Sequence, residues 1–475
     1  MNQSMNHLAE QAPLHSAPPP VDAGPARPPA FLASVATIFG GQIASALVAL
    51  MIEVLCSRIL GPEGRGQIAL CAMVTALGTM LGGLGGEIPI ILWSAKARDR
   101  VSHWLPAVFL WGFLGAAAAS ELWLLSYRLW HPVFLRGVTP KLAVFVAIAI
   151  PANIFFNDLI AVLTGFERFR LRAAIAFSTQ VAELISVVAL MAFVSRSAVA
   201  AVAGMLVGLL AGGVIAFAAL SSAIARRWNL TRASENLLLA LSLGVRGQLG
   251  NLATFFTYRL DVFVVNFFLG PADVGIYALG VVVAEALWQV PQAAAVALFP
   301  RTARTEAAGS AEFTCAVSRH VLLIASLIGV VLAIVAPILI PLIFGTRFRP
   351  AIAVVWWILP GTVALSLGKL MSAAIAARGK PEYSSVFALV ALAVTVLLDF
   401  LLIPRMGIRG AALASSVAYF VDSLLLAAKL RRLLAVRWSD LLIIKRSDLV
   451  LYRRFWTRYK HHLQFATSPG ITEGN

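Results

Sequence analysis

The chain has 475 residues, of which 60% are hydrophobic and only 13% charged, with a mean hydropathy of +0.86; soluble domains carry about 25% charged residues, so the composition excludes a soluble enzyme or binding module and points to a bilayer. The formal charge of +16 is spread in short clusters between apolar segments, the pattern of cytoplasmic loops rather than of a nucleic-acid surface. Cys56, Cys71 and Cys315 are far apart, odd in number and set in apolar surroundings, which leaves no disulfide framework or zinc site and predicts packing roles.

Residues 1–30, rich in Pro and Ala, read as a flexible cytoplasmic tail. No basic segment with a short apolar core precedes the long run from Phe31, so the first span is expected to be retained. A membrane-spanning helix needs about 20 mostly apolar residues. Twelve segments qualify: 31–55, 66–94, 104–126, 142–164, 173–194, 198–224, 247–268, 274–299, 320–344, 351–376, 383–403 and 408–429.

Between the first two spans stands "LGPEGRG" (60–66), and between the seventh and eighth its relative "LGPADVG" (269–275). Short and glycine-rich, the heptad resembles a phosphate loop, but it reads better as a tight turn in which Gly61 and Pro62 stop one helix and Gly64 and Gly66 let the next start close by. A weaker echo, "GFERFR" from Gly165 and "GKPEYS" from Gly379, follows the fourth and tenth spans. Both pairs lie nearly half the chain apart, which indicates an internal duplication. The predicted fold is an all-α integral membrane protein of about twelve transmembrane helices in two parallel six-helix lobes related by an axis along the membrane normal. The expected organisation is a tail at 1–30, lobes at 31–225 and 247–430, a basic cytoplasmic linker at 226–246 and a tail at 431–475.

Lys and Arg concentrate in the loops after even-numbered spans and in the C-terminal tail, which by the positive-inside rule puts both termini in the cytoplasm and both LGP turns outside. The tail from Arg431 to Phe465 alternates apolar patches with Arg, Lys, Trp and Tyr. It reads as an amphipathic surface helix attracted to anionic lipid, with a partner-docking element as the alternative.

No hydrolytic triad, HExxH or phosphate-cradling GxxxxGK[ST] occurs, so the informative residues are ionisable groups inside apolar spans, each costing at least about 2.5 kcal/mol at midplane unless partnered. In the seventh span Asn251, Thr254, Tyr258 and Asp261 form one polar stripe. Arg259 lies roughly 200° around the helix from Asp261, so each needs a partner elsewhere, in a cavity or in an inter-helix ion pair. In the eighth span Tyr277, Glu285, Trp288 and Gln292 share a face, and Pro291 frees a carbonyl one turn on, as in a gating element or a plain kink. The second span ends "GTMLGGLGGEIPI", where four glycines precede Glu87 as in the discontinuous helices that offer carbonyls to cations, or in close helix packing. Gln180 and Glu183 stand one turn apart in the fifth span, and Glu53 and Arg58 precede the first LGP turn. Further polar residues are Asn153, Asn157 and Asp158 in the fourth span, Lys369 in the tenth and Asp422 in the twelfth. Glu121 and Asp399 fall near span ends and are expected to reach the interface.

"SRILGPEGRGQIAL", "YRLDVFVVNFFLGPADVGIYALGVVVAEALWQVPQAAAVALFPRTAR", "AIAARGKPEYSS" and "LLIPRMGIRGAALASSVAYF", in order over residues 31–430, resemble the polysaccharide-biosynthesis flippases of the Wzx type, in the MOP superfamily that also holds the MATE exporters and lipid II flippases. The resemblance implies a MOP/MATE-like fold and movement of polyprenyl-pyrophosphate-linked oligosaccharide repeat units across the bacterial inner membrane by alternating access, for exopolysaccharide, capsule or O-antigen. It implies a secondary transporter rather than an enzyme, with no cofactor but coupling to an H+ or Na+ gradient or the membrane potential. It also implies a cationic cavity for the pyrophosphate, to which Arg58, Arg259 and Lys369 are the available cations. Glu53, Glu87, Glu183, Asp261, Glu285 and Pro291 are then the coupling and gating candidates. Expected partners are the lipid-linked oligosaccharide, membrane lipids under the basic tail, and a polysaccharide polymerase or glycosyltransferases, with no nucleic acid and no metal. The alternatives are a MATE-like cation-coupled small-molecule exporter, a membrane enzyme of polysaccharide assembly, and a non-transporting assembly protein supported by the basic tail alone.

Overall fold

The computed structural model describes residues 28–96, 101–224, 233–289, 291, 307–445 and 448. Most of the expected tails, Gln292 and the first part of the basic linker, 226–232, lie outside these residues, and the rest of the linker is the start of the seventh helix. The described residues form α1 (Pro28–Gly83), α2 (Glu87–Lys96), α3 (Val101–Trp130), α4 (Pro140–Gly165), α5 (Phe169–Phe193), α6 (Ala198–Ile224), α7 (Ala233–Phe268), α8 (Pro271–Glu285), α9 (Ala307–Phe344), α10 (Ala351–Ala376), α11 (Glu382–Met406), α12 (Ile408–Leu434) and the short α13 (Trp438–Leu442), with no strand among them.

Ten described stretches are long and apolar enough to cross a membrane. One of them, Gly40–Gly83, has 44 residues, roughly 66 Å of helix against a hydrocarbon core of about 30 Å, and so makes two crossings. The break is Gly61, whose φ of 68° and ψ of −169° are non-helical. α7 is outside the ten, because Asn251, Thr254, Thr257, Tyr258, Arg259, Asp261 and Asn266 interrupt its apolar half. With it the crossings among the described residues number twelve, as the sequence predicts. The predicted second span, 66–94, is two helices: α1 ends at Gly83, Leu84 and Gly85 take φ of 42° and 74°, and α2 restarts at Glu87.

Local sequence explains other ends. Thr139 accepts a bond from the Leu142 amide at 3.4 Å with Pro140 in the first turn, an N-cap for α4. Gly407, φ 62°, turns α11 into α12. On the outer surface of α9, Ile334, Ile338 and Leu342 are each about two-thirds exposed, a stripe at helical spacing suited to lipid contact.

α1–α6 pack as one lobe and α7–α12 as the other, and the largest contact between lobes is α1 against α8. Its centre explains the repeated heptad. A Cβ on Gly66 would lie 1.7 Å from the Pro271 carbonyl, and a Cβ on Gly275 would lie 2.0 Å from the Pro62 carbonyl. Pro62 and Gly66 of one LGP turn therefore meet Gly275 and Pro271 of the other reciprocally, as a pseudo-two-fold axis requires. The second seam between lobes lies at the far end of the crossings, where Gly85 and Gly244 are in backbone contact and Gln248 Nε2 donates to the Met80 carbonyl at 2.9 Å. We refer to these as the LGP end and the tail end.

Candidate functional site

Several charged residues of the second lobe converge on one cluster of rings. Arg259 of α7 finds its partner in Glu285 of α8, Nη2 to Oε2 at 2.8 Å. Lys369 of α10 sits over the Trp288 ring, with Nζ 3.9 Å from the centroid, and 5.1 Å from that of Tyr258, a cation–π arrangement. Tyr258, Trp288 and Tyr419 of α12 form an aromatic trio with centroids 5.3 to 6.4 Å apart. Around it the buried Glu285 Oε1, Trp288 Nε1, Tyr419 hydroxyl and Asp422 Oδ1 have no hydrogen-bond partner among the described residues. Orphaned polar atoms are costly in an apolar interior, and four in one cluster mark it as a functional candidate.

Asp261 is 1% exposed and belongs to a separate network. It accepts from the Tyr277 hydroxyl at 2.5 Å, the Ser415 hydroxyl at 2.9 Å and the Val262 amide at 2.7 Å. Asp399 of α11 is fully buried, within electrostatic reach of Asp261, and among the described residues neither of its oxygens has a hydrogen-bond partner. This corrects the expectation that Asp399 reaches the interface: Phe267 and Phe268 at the end of α7 pack on Phe400, and Gly410 at the start of α12 packs on the Leu402 carbonyl. Ser415, Tyr419 and Asp422 share a face of α12, a signal present in "SSVAYFVD".

The first lobe's candidates are dispersed. Arg58 is exposed at the LGP end and donates to the Ile343 carbonyl at 2.7 Å and to the Leu342 carbonyl, capping the last turn of α9. Glu53 pairs with Arg65 at 2.5 Å across the LGP turn, tying the two arms of α1. Glu183 is half-buried on the α5–α6 interface, where a Cβ on Gly208 would lie 2.3 Å from its amide. Glu87 opens α2 at the tail end. Pro291 is buried just after α8 tightens into a 3₁₀ turn at Ala286–Trp288. The free cationic cavity expected from the resemblance is not formed among the described residues: Arg259 is held by an acid, Lys369 by rings, and Arg58 caps a helix. Cys56, Cys71 and Cys315 are buried and free, as packing residues should be.

Twelve described crossings in two lobes, in contact at both ends through small residues and holding buried charge, have the build of a membrane transporter. The chain belongs to the polysaccharide biosynthesis protein family, whose profile matches residues 31–306. Its fold is similar to that of a lipid II flippase in an inward closed conformation, at 15% identity over 88% of this chain and 92% of that one, with a TM-score of 0.69. It is also similar to an inward-facing multidrug resistance MATE transporter of the MOP superfamily, at 13% identity, 82% and 94% coverage and TM-score 0.62. A third likeness is to the eukaryotic MATE transporter AtDTX14, at 14% identity, 86% and 97% coverage and TM-score 0.59. At these identities the likeness shows the MOP fold. Among curated proteins no sequence match was found.

Proposed function

We propose that the chain is a flippase that moves polyprenyl-pyrophosphate-linked oligosaccharide repeat units from the inner to the outer leaflet of the bacterial inner membrane, supplying polysaccharide assembly. The observation that carries this reading is the family match over 31–306 on a flippase-like fold. In this reading both termini and the tail end face the cytoplasm, the LGP end faces out, and the lobes run from 31 to 225 and from 247 to 430.

Arg259 and Lys369 are the cations for the pyrophosphate, held in this state by Glu285 and by Trp288 and Tyr258 and released when the substrate's charge competes. Coupling falls to Asp261 and Asp399, because two buried carboxylates in mutual reach do not both stay charged without a proton or small cation between them. An aromatic cage edged with carboxylates would also suit an organic-cation exporter, but Lys369 already occupies this one.

The test is a gene deletion scored for lipid-linked glycan trapped on the inner leaflet. Wild type should restore outer-leaflet glycan, and Arg259→Ala and Asp399→Asn should not. Normal leaflet distribution in the deletion would overturn the reading.

A further inference from the structure

At the tail end, the break between α1 and α2 opens onto a cavity of about 240 Å³ lined by Thr79, Met80, Gly83, Glu87, Asn157, Asp158, Gln248 and Asn251, with Ile88 and Ile154 as its apolar wall. Three helices of the first lobe, α1, α2 and α4, supply one side, and α7 of the second lobe supplies Gln248 and Asn251.

Asp158 is the unusual group. It is 5% exposed, it lines this cavity, and no hydrogen bond or ion pair holds it among the described residues. Its carboxylate is set between Gly86 at the break and Gly112 of α3, where Cβ atoms would lie 4.0 and 2.9 Å from its oxygens. The buried hydroxyl of Thr79 on the same wall also lacks a partner among the described residues. Facing them are Glu87, two Asn, one Gln and the carbonyl end of α1, which carries the negative end of the helix dipole. The wall is therefore rich in oxygen acceptors around a buried carboxylate that nothing neutralises. Arg172 of α5 acts on Glu87 from outside the cavity, so the two carboxylates and one guanidinium leave a formal charge near −1. That balance fits a monovalent cation rather than an anion or a divalent ion. A volume of about 240 Å³ also has room for such a cation with part of its water shell.

We propose that this cavity binds a monovalent alkali cation and that its occupant holds the tail end of the seam shut. The walls come from both lobes, so a ligand bridging them is bound better when Gln248 and Asn251 are against the α1–α2 break than when they have moved away, and it shifts the population toward that closed state. The site is separate from Asp261 and Asp399 in the second lobe. It rests on the transport reading only for its consequence in the cycle, since cation binding is measured without substrate.

Hydrogen exchange on the purified full chain in lipid nanodiscs, in Na+ or in N-methylglucamine at the same ionic strength, tests it. Na+ should slow exchange of the segments 80–90 and 241–252 about fivefold or more in wild type and in Asp261→Asn. It should not do so in Asp158→Asn, nor in Asn251→Leu, which fills the cavity from α7 if the Asp158 variant fails to fold. Equal protection with and without Na+ in wild type, retained protection in both cavity variants, or protection that follows pH in N-methylglucamine instead of Na+ would each overturn the proposal. Loss of flipping with intact Na+ protection would instead count against the substrate reading and leave this site standing.

Discussion

Gly66→Ala should open the LGP end. The added Cβ would fall 1.7 Å from the Pro271 carbonyl, whereas real Cβ contacts essentially never come under 3.0 Å. The turns must therefore part by about 1.3 Å, and over-packing of this kind costs about 1–3 kcal/mol. That energy falls on the state in which the two turns touch, so the open state gains roughly 5- to 150-fold in relative population. Gly275→Ala strikes the mirror-image contact at 2.0 Å and should act in the same direction, with the double variant less than additive because the two clashes share one interface. The reporter is a cysteine in place of Val274, which is fully buried beside Gly275, in a chain whose three native cysteines are replaced by alanine. Its labelling rate with a membrane-impermeant maleimide should rise severalfold or more in either variant. Gly40→Ala, where a Cβ meets nothing within 4 Å, should change nothing. Unaltered labelling in a folded Gly66→Ala protein would refute the claim that the LGP turns form the closed end of the seam.

Glu285→Ala should lower the thermal midpoint, because it strands the Arg259 guanidinium at a cost of about 3–5 kcal/mol, and Arg259→Met with Glu285→Leu should recover most of the loss; equal midpoints for the single and double variants would contradict this. Asp399→Asn removes an orphaned buried carboxylate and should leave the thermal midpoint unchanged or raised while abolishing transport, an opposition that a purely structural Asp399 would not produce. In the C-terminal segment Asp448 accepts from Arg319 at 2.6 and 2.7 Å, and those bonds lower its carboxyl to about 2. A depressed carboxyl stabilises above its unfolded value near about 3.9. Docking of α13 and Asp448 on α9 should therefore be constant from pH 5 to 8 and weaken only as the pH falls from about 4 towards 2, while Asp448→Asn should loosen it at neutral pH; protease cleavage after Arg437 reads both.

Much of this architecture was legible because lipid imposes simple rules. The crossings follow from apolar length, and the paired LGP turns predicted a duplication whose lobes do meet symmetrically. The glycines before Glu87 allowed either a break or close packing within one span, and the chain breaks there. Partnership was harder to read. Arg259 and Glu285 are 26 residues apart on adjacent helices, and the stripes on α7 and α8 do not say which group of one faces which of the other. Asp399 looked peripheral because position along a helix says nothing of what packs over its end. Arg58 looked like a cavity cation because its charge was visible in the sequence, whereas the carbonyls of α9 that it caps were not. The α12 face of Ser415, Tyr419 and Asp422 was hidden among small residues in a span that reads as ordinary apolar helix.

The central claim is that this chain carries lipid-linked glycan across a bilayer. Purified protein reconstituted into vesicles with a fluorescent polyprenyl-pyrophosphate oligosaccharide in one leaflet, followed by access of an impermeant quencher or glycosidase from the other, measures it directly. The account predicts protein-dependent exchange that Arg259→Ala and Asp399→Asn abolish. Exchange no faster than in protein-free vesicles, under imposed H+, Na+ and voltage gradients alike, would contradict it.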